Sequence, residues 1–276
     1  MTLVVAVVAG LLIGLSLGAL GGGGSVLAVP VLVYALGQTA AQATTGSLVV
    51  VGLTALIGAV TAHREGNVLL GRGVAFGTVA VGGAAAGAAL SGLVPEPVLL
   101  ASFAGLLVVV AGVLAVRQVR ARKIGGGPGT QDGDVRLDDP ILRFSPTFAC
   151  QCPRALKVLV TATAVGLLTG FLGVGGGFLV VPALVLALGL PMELAAGTSL
   201  VVITLTSAAA LAVRAGTGVH PDWGLVALLT GAAVLGGVLG ARTAARADTR
   251  RLQAAFTVLL LLVAGYTAAR ALPALA

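Results

Sequence analysis

The most constraining feature of this sequence is its first 63 residues, which contain no Asp, Glu, Lys or Arg. On insertion scales each charged side chain at the bilayer centre costs about 2.5–3.5 kcal/mol, so an uncharged stretch this long has room for more than one membrane crossing. Over the whole chain 58% of residues are hydrophobic and 9% are charged, whereas soluble domains carry roughly a quarter charged residues. The sequence therefore excludes an ordinary soluble fold and predicts an all-α polytopic membrane protein.

Eight apolar segments divide the chain. Six have the length of roughly 20 residues that one transmembrane helix needs. The first and the fifth, each about 35 residues, are too long for one helix and are interrupted by glycines. The segments cover residues 2–37, 44–62, 68–93, 98–116, 155–190, 196–213, 223–241 and 252–272.

The chain repeats itself on either side of a polar linker. Gly14, Gly18, Gly21, Gly23, Gly24, Pro30, Gly37, Ser47 and Thr54 recur 152 residues later as Gly166, Gly170, Gly173, Gly175, Gly176, Pro182, Gly189, Ser199 and Thr206. After a small insertion, Gly82-Gly83 is paired with Gly236-Gly237. A constant offset that includes the proline and the hydroxyls indicates an internal duplication. We predict a first transmembrane repeat over 1–117, a linker over 118–153 and a second repeat over 154–276.

Basic residues around the linker predict the orientation of the chain. Loops on the cytoplasmic side are enriched in Lys and Arg, so the linker is expected in the cytoplasm, with the chain in a bacterial inner membrane. The basic 242–251 loop is then also cytoplasmic, which requires the fifth segment to return to its starting side. Such a segment is a hairpin, either two full crossings or a re-entrant pair of half-helices. Each half then makes an odd number of crossings, so the halves are predicted to be inverted, as in many secondary transporters. The basic residues in or beside the linker are Arg117, Arg120, Arg122, Lys123, Arg143, Arg154 and Lys157.

The two glycine breaks are the predicted substrate site. Consecutive glycines end a helix, and the amides freed in hydrocarbon must find partners or line a polar cavity. Amides at a helix start favour anions, so two breaks meeting near the midplane are expected to hold an anion without a basic side chain. The alternative is close helix packing, the interpretation preferred for Gly82, Gly83, Gly87, Gly236, Gly237 and Gly240. The predicted site glycines and the adjoining serine are Gly21, Gly22, Gly23, Gly24, Ser25, Gly173, Gly175, Gly176 and Gly177.

Matching hydroxyls follow each break, and they complete the predicted site. These residues are Thr44, Thr45 and Ser47 in the first half, and Thr198 and Ser199 in the second. Two interpretations stay open at this point. The hydroxyls are either N-caps that accept hydrogen bonds from orphan amides, or donors to a bound anion.

Other kinds of chemistry find little support in the sequence. No acidic residue lies inside a predicted crossing, no nucleotide-binding P-loop is present, and no catalytic constellation, metal or cofactor is predicted. The net charge of +7 reflects basic loops beside apolar segments, so nucleic acid is not expected as a partner. Cys150 and Cys152 are interpreted as reduced thiols, with a metal-binding or redox pair as the alternative.

The duplicated break-and-proline pattern (Gly21–Pro30 and Gly173–Pro182), followed by the helix starts Thr45–Val49 and Thr198–Val202, resembles the TauE/SafE family, also called TSUP. The resemblance covers the chain except the linker. It implies a carrier of sulfite, a sulfonate, thiosulfate or a related small anion. The inverted halves predict alternating access as its mechanism. Export is the expected direction. An anion channel, an importer or a membrane scaffold that uses Cys150 and Cys152 are the alternatives.

Overall fold

The computed structural model describes residues 2–22, 24–123, 152–173, 177–216, 218–219, 221–244, 258 and 261–266. Within these ranges every regular element is a helix, as the sequence predicts. The helices are α1 (Thr2–Leu20), α2 (Ser25–Pro30) with its π-helical continuation Val31–Ala35, α3 (Ala40–Arg64), α4 (Leu70–Ser91), α5 (Glu96–Lys123), α6 (Cys152–Leu172), α7 (Gly177–Leu188), α8 (Met192–Arg214) and α9 (Trp223–Ala244).

Four of the described helices are long and apolar enough to cross a membrane, namely α3, α4, α8 and α9. They correspond to four of the six segments predicted as single crossings. Of the other two, α5 continues to Lys123, beyond the predicted segment. Most of the 252–272 segment lies outside the described residues, as do residues 124–151 of the linker and with them Cys150.

The packing of the helices is reciprocal between the two halves. Helix α1 lies along α9, and α4 lies along α6; these are corresponding pairs, because α1 and α6 are repeats of each other, as are α4 and α9. The repeated helices α3 and α8 pack on each other at the centre. Gly52 lies opposite Ser207 and Gly58 opposite Leu200, so α3 and α8 run in opposite directions.

Glycines allow these helices to approach closely. A Cβ at Gly14 or Gly18 would overlap backbone carbonyls of α9, and a Cβ at Gly166 or Gly170 would overlap those of α4. Such contacts use backbone surface and need no hydrophobic driving force, which suits packing within lipid. Gly83 and Gly87 of α4 approach the backbone of α6 as tightly, and Gly236 and Gly240 of α9 approach that of α1, which confirms the packing interpretation for these four positions.

The pairing of Gly82-Gly83 with Gly236-Gly237 is wrong by one residue. A Cβ at Gly82 would meet nothing within 4 Å, so this glycine is not part of a tight crossing. Gly83 overlaps the Thr163 carbonyl and Gly236 overlaps that of Leu11, and Thr163 is the repeat of Leu11 at the offset of 152. Gly83 and Gly236 are therefore the equivalent positions, and adjacent glycines hid this register in the sequence.

Candidate functional site

Both overlong segments are interrupted at the predicted glycines. Helix α1 ends at Leu20, and Gly21 and Gly22 follow with φ of 68° and 152°. Helix α6 ends at Leu172, and Gly173 follows with φ of 64°. Residues with a side chain rarely adopt these positive φ values, so glycine is required for the turn. The predicted break positions are confirmed, while Gly23, Gly175 and Gly176 lie outside the described residues.

The two breaks touch each other. The backbone of Gly22 lies against that of Gly177, the first residue of α7, and a Cβ added to either glycine would overlap the other residue. Gly177 is the repeat of Ser25, which begins α2. The starts of the two short helices, distant in sequence, therefore lie side by side.

Each break is held by a serine from the opposite half of the chain. The Ser47 hydroxyl on α3 donates to the Gly173 carbonyl, and the Ser199 hydroxyl on α8 donates to the Gly21 carbonyl. Carbonyls at the end of a helix lack intrahelical partners, so these hydroxyls satisfy groups that the breaks expose. Both serines are fully buried. The four residues are equivalent at the offset of 152, so one hydrogen bond occurs twice.

Ser25 stabilises the first break from within its own half. Its hydroxyl donates to the Gly22 carbonyl at 2.7 Å, and its backbone N–H donates to the same carbonyl at 3.2 Å. Gly24 packs against α1, where a Cβ would overlap the Ile13 carbonyl. The equivalent serine hydroxyl is missing from the second break, because Gly177 occupies that position.

The N-cap interpretation is wrong for Thr44, Thr45 and Ser47. Helix α3 begins at Ala40, and Thr39 caps it by accepting a hydrogen bond from the Gln42 N–H, while the Gln42 side chain accepts one from the Thr39 N–H. This capping box starts the helix earlier than the sequence indicates. Thr44 and Thr45 lie inside the helix, where each hydroxyl donates to the Ala41 carbonyl.

The predicted hydroxyls do not all lie at the breaks. Thr44 does, because its Cα and Cβ fill the space beside Gly173. Thr198 instead accepts a hydrogen bond of 3.1 Å from the backbone N–H of Leu69, at the start of α4. The structure therefore brings Thr44, Ser47 and Ser199 to the breaks and Thr198 to the loop between α3 and α4.

A basic side chain that the sequence interpretation missed lies beside the second break. Arg214, the last residue of α8, is 7% exposed and hydrogen-bonds to Thr44, to Ser91 and to the Gly170 carbonyl. The two glycine breaks contain no basic residue of their own. Arg214 lies one residue beyond the predicted 196–213 segment, where the local sequence does not indicate burial. The residue that corresponds to Arg214 at the offset of 152 is Ala62, which is apolar. This mismatch is the sign in the sequence that Arg214 does not follow the repeat.

An apolar cavity of about 350 Å³ lies away from the breaks, along the first hairpin. Pro30, Tyr34 and Tyr266 contribute to its lining, and the rings of the two tyrosines meet edge to face at 5.6 Å. Its described lining contains no charged side chain. This cavity offers an anion no charge complement, so the breaks remain the candidate site.

Comparison with known proteins identifies relatives of the whole chain. The family described as Sulfite exporter TauE/SafE matches residues 6–267. A probable membrane transporter protein of Xylella fastidiosa (strain Temecula1 / ATCC 700964) is 34% identical over 203 residues, which cover 73% of this chain and 70% of that protein. The probable membrane transporter protein YunE of Bacillus subtilis (strain 168) is 27% identical over 270 residues, covering 95% of this chain and 96% of that protein. No solved structure matches the chain significantly.

Proposed function

Since this chain belongs to the sulfite exporter TauE/SafE family, we propose that it is a secondary transporter that exports a small sulfur-containing anion. Its family and the four long apolar helices in the described part of the chain make it a multi-pass membrane protein. Within the proposal, the membrane is the bacterial inner membrane and the linker is cytoplasmic. The membrane potential, negative inside, then favours export by about 2.3 kcal/mol per charge per 100 mV.

The observation that carries the proposal is the doubled serine-to-break hydrogen bond. Ser47 and Ser199 each join a helix of one half to the broken segment of the other. A substrate held between the breaks would contact both halves at once. Movement of one half against the other would then change these cross-half contacts together with the access to the substrate, as alternating access requires.

The directions of the helices support inverted halves. Helices α3 and α8 are repeats of each other and run antiparallel, and the close contacts between the halves occur in equivalent pairs. Two halves related in this way would give the transporter similar gates toward the two sides of the membrane. We propose domain boundaries at residues 117 and 154 for these halves.

Helices α1 and α6, with 19 and 21 residues, are long enough to cross the membrane. The helices that follow the breaks are shorter, which supports a re-entrant second arm in each hairpin. Ser25–Ala35 and Gly177–Leu188 have 11 and 12 residues, which correspond to about 17 and 18 Å at 1.5 Å per residue. The hydrocarbon core is about 30 Å thick. Each short helix thus reaches about halfway across and starts where the two breaks meet. Helix starts direct N–H groups and partial positive charge toward this point, which suits an anion.

Counterflow of labelled anions in proteoliposomes tests the proposal. We expect saturable uptake of labelled sulfite, thiosulfate or sulfoacetate into vesicles loaded with the same unlabelled anion, and a weaker response to taurine, whose amine offsets the sulfonate charge. Sulfate completes the panel, and liposomes without protein are the control. Single-channel currents without counterflow would contradict a carrier, and the absence of flux for the whole panel would contradict the proposed substrate class.

A further inference from the structure

Arg214 is a buried guanidinium at which four helices converge. Its Nη1 donates to the Thr44 hydroxyl on α3 at 2.8 Å, and its Nη2 donates to the Ser91 hydroxyl on α4 at 2.7 Å and to the Gly170 carbonyl on α6 at 3.1 Å. Burying a charged group is costly unless it is well hydrogen-bonded. These contacts hold the guanidinium in place between the two halves, at the end of α6.

The guanidinium lies one side chain away from the second break. Thr44, which accepts the bond from Nη1, also fills the space beside Gly173 with its Cα and Cβ. Ser47, one turn further along α3, donates to the Gly173 carbonyl. An anion at the second break that displaced or joined the Thr44 hydroxyl would therefore meet Arg214.

The acceptors in these three bonds are neutral, and two of them remain satisfied if the guanidinium changes partner. The Thr44 hydroxyl donates to the Ala41 carbonyl at 3.0 Å, and the Ser91 hydroxyl donates to the Ala88 carbonyl at 2.7 Å. Neither hydroxyl would be left without a hydrogen bond. An oxyanion would add charge attraction that a neutral hydroxyl lacks, and a guanidinium binds two oxygens of an oxyanion at once.

The first break has no equivalent of this cluster. The positions that correspond to Thr44 and Arg214 are Ala196 and Ala62, and the position that corresponds to Ser91 is Ala244. Among the residues that the structure describes, only the second half-site therefore has a buried cation beside it. This difference does not follow from the duplication and points to a function that the two half-sites do not share.

We propose that Arg214 binds the transported anion at the second break. Its paired N–H groups make the site prefer oxyanions, which offer two acceptor oxygens, over spherical halides. The inference rests on the proposed transport function. It assigns the substrate class to a specific side chain and predicts different affinities at the two faces of the membrane, because the guanidinium lies on the side where α8 ends.

Arg214 also has a structural role that the test must separate from binding. A cation beside the last carbonyls of α6 stabilises the end of that helix, so Arg214→Gln is expected to lower the unfolding temperature. Arg214→Lys keeps the charge but loses the paired geometry. Ser91→Ala removes one acceptor without touching the break. Arg64→Gln is the matched control, because Arg64 is an exposed arginine in the last turn of α3, the repeat of α8.

The experiment measures sulfite entry and exit separately in oriented proteoliposomes, with bromide as competitor. For Arg214→Gln we expect the sulfite KM to rise at least tenfold at one face and less than twofold at the other. For Arg214→Lys we expect an intermediate rise and a several-fold loss of preference for sulfite over bromide. Arg64→Gln keeps wild-type values. In detergent, sulfite should raise the unfolding temperature of the wild type and of Ser91→Ala more than that of Arg214→Lys.

Several results would overturn the inference. Wild-type KM values at both faces in Arg214→Lys and Arg214→Gln, with only Vmax or unfolding temperature reduced, would leave Arg214 as a helix clamp and leave the transport function intact. If Arg214→Gln does not fold, an unchanged KM and an unchanged sulfite preference in Arg214→Lys are enough to reject the inference. A wild type that carries and binds none of the anions would reject this inference together with the proposed function.

Discussion

The two glycine breaks are built alike but are surrounded differently. At the first break Ser199 holds Gly21, and at the second Ser47 holds Gly173, with the same donor and acceptor atoms. Beyond this shared contact, Ser25 bonds to the first break, whereas Thr44 and Arg214 lie beside the second. The duplication therefore preserved the hydrogen bonds that connect the halves, while the polar groups next to each break diverged.

The largest expected effect comes from substitutions at the helix crossings that support the breaks, and it tests whether the two crossings are equivalent. Gly18→Ala and Gly170→Ala each place a Cβ against a backbone carbonyl, of Gly237 and Ala84 respectively. Backbone cannot move aside as a side chain does, so we expect each to cost about 3 kcal/mol or more, the upper range for overpacking. Monodisperse yield and unfolding temperature in detergent check this expectation.

The matched control is Gly82→Ala, because a Cβ there meets nothing within 4 Å. Alanine is a better helix former than glycine by about 1 kcal/mol, so this variant should be as stable as the wild type or more so. If Gly170→Ala is tolerated as well as Gly82→Ala, the backbones of α4 and α6 do not approach each other closely at Gly170.

The next effect concerns the serine contacts. Ser47→Ala and Ser199→Ala each leave a buried carbonyl short of a hydrogen bond, and each should cost about 1–3 kcal/mol. We expect both to reduce sulfite counterflow several-fold and to match each other within about 1 kcal/mol in stability, because the lost bonds are equivalent. Ser102→Ala is the control, since this exposed hydroxyl bonds to Val98 within its own helix. A loss confined to one of the two buried serines would break the equivalence.

The smallest effect concerns the starts of the paired helices. Thr39 caps α3, whereas its repeat, Pro191, precedes α8 without a side-chain cap. Thr39→Ala should lower stability by about 1 kcal/mol, the usual cost of losing an N-cap, and leave the sulfite KM unchanged. Thr61→Ala, which alters an exposed hydroxyl bonded to Ile57 within α3, should have less effect on unfolding temperature. An equal effect of the two substitutions would show that the capping box contributes little.

The sequence predicts local features of this fold well, because they depend on local composition. Long apolar runs predict the helices, and the glycines after Leu20 and Leu172 predict the breaks, since only glycine tolerates their positive φ. The repeat at an offset of 152 pairs Ser47 with Ser199 before any contact between them and the breaks is known. Helix starts are less predictable, as Thr39 demonstrates, because a capping box can extend a helix into polar sequence.

Contacts between distant segments could not be read from the sequence in the same way. Arg214 is separated from Thr44 by 170 residues and breaks the repeat, so neither local pattern nor duplication leads to it. Thr198 follows the pattern of a site hydroxyl but faces Leu69, because the α3–α4 loop packs against the start of α8. Residues that serve only one half-site require the packed structure.

Sulfite counterflow by the double variant Ser47→Ala/Ser199→Ala is the most direct test of the central claim that the paired breaks form the transport site. We expect sulfite counterflow by the purified, monodisperse variant to fall by more than tenfold, while Ser102→Ala retains it. A folded double variant with wild-type KM and Vmax would show that the paired breaks are not the transport site, because neither cross-half hydrogen bond would then matter for transport.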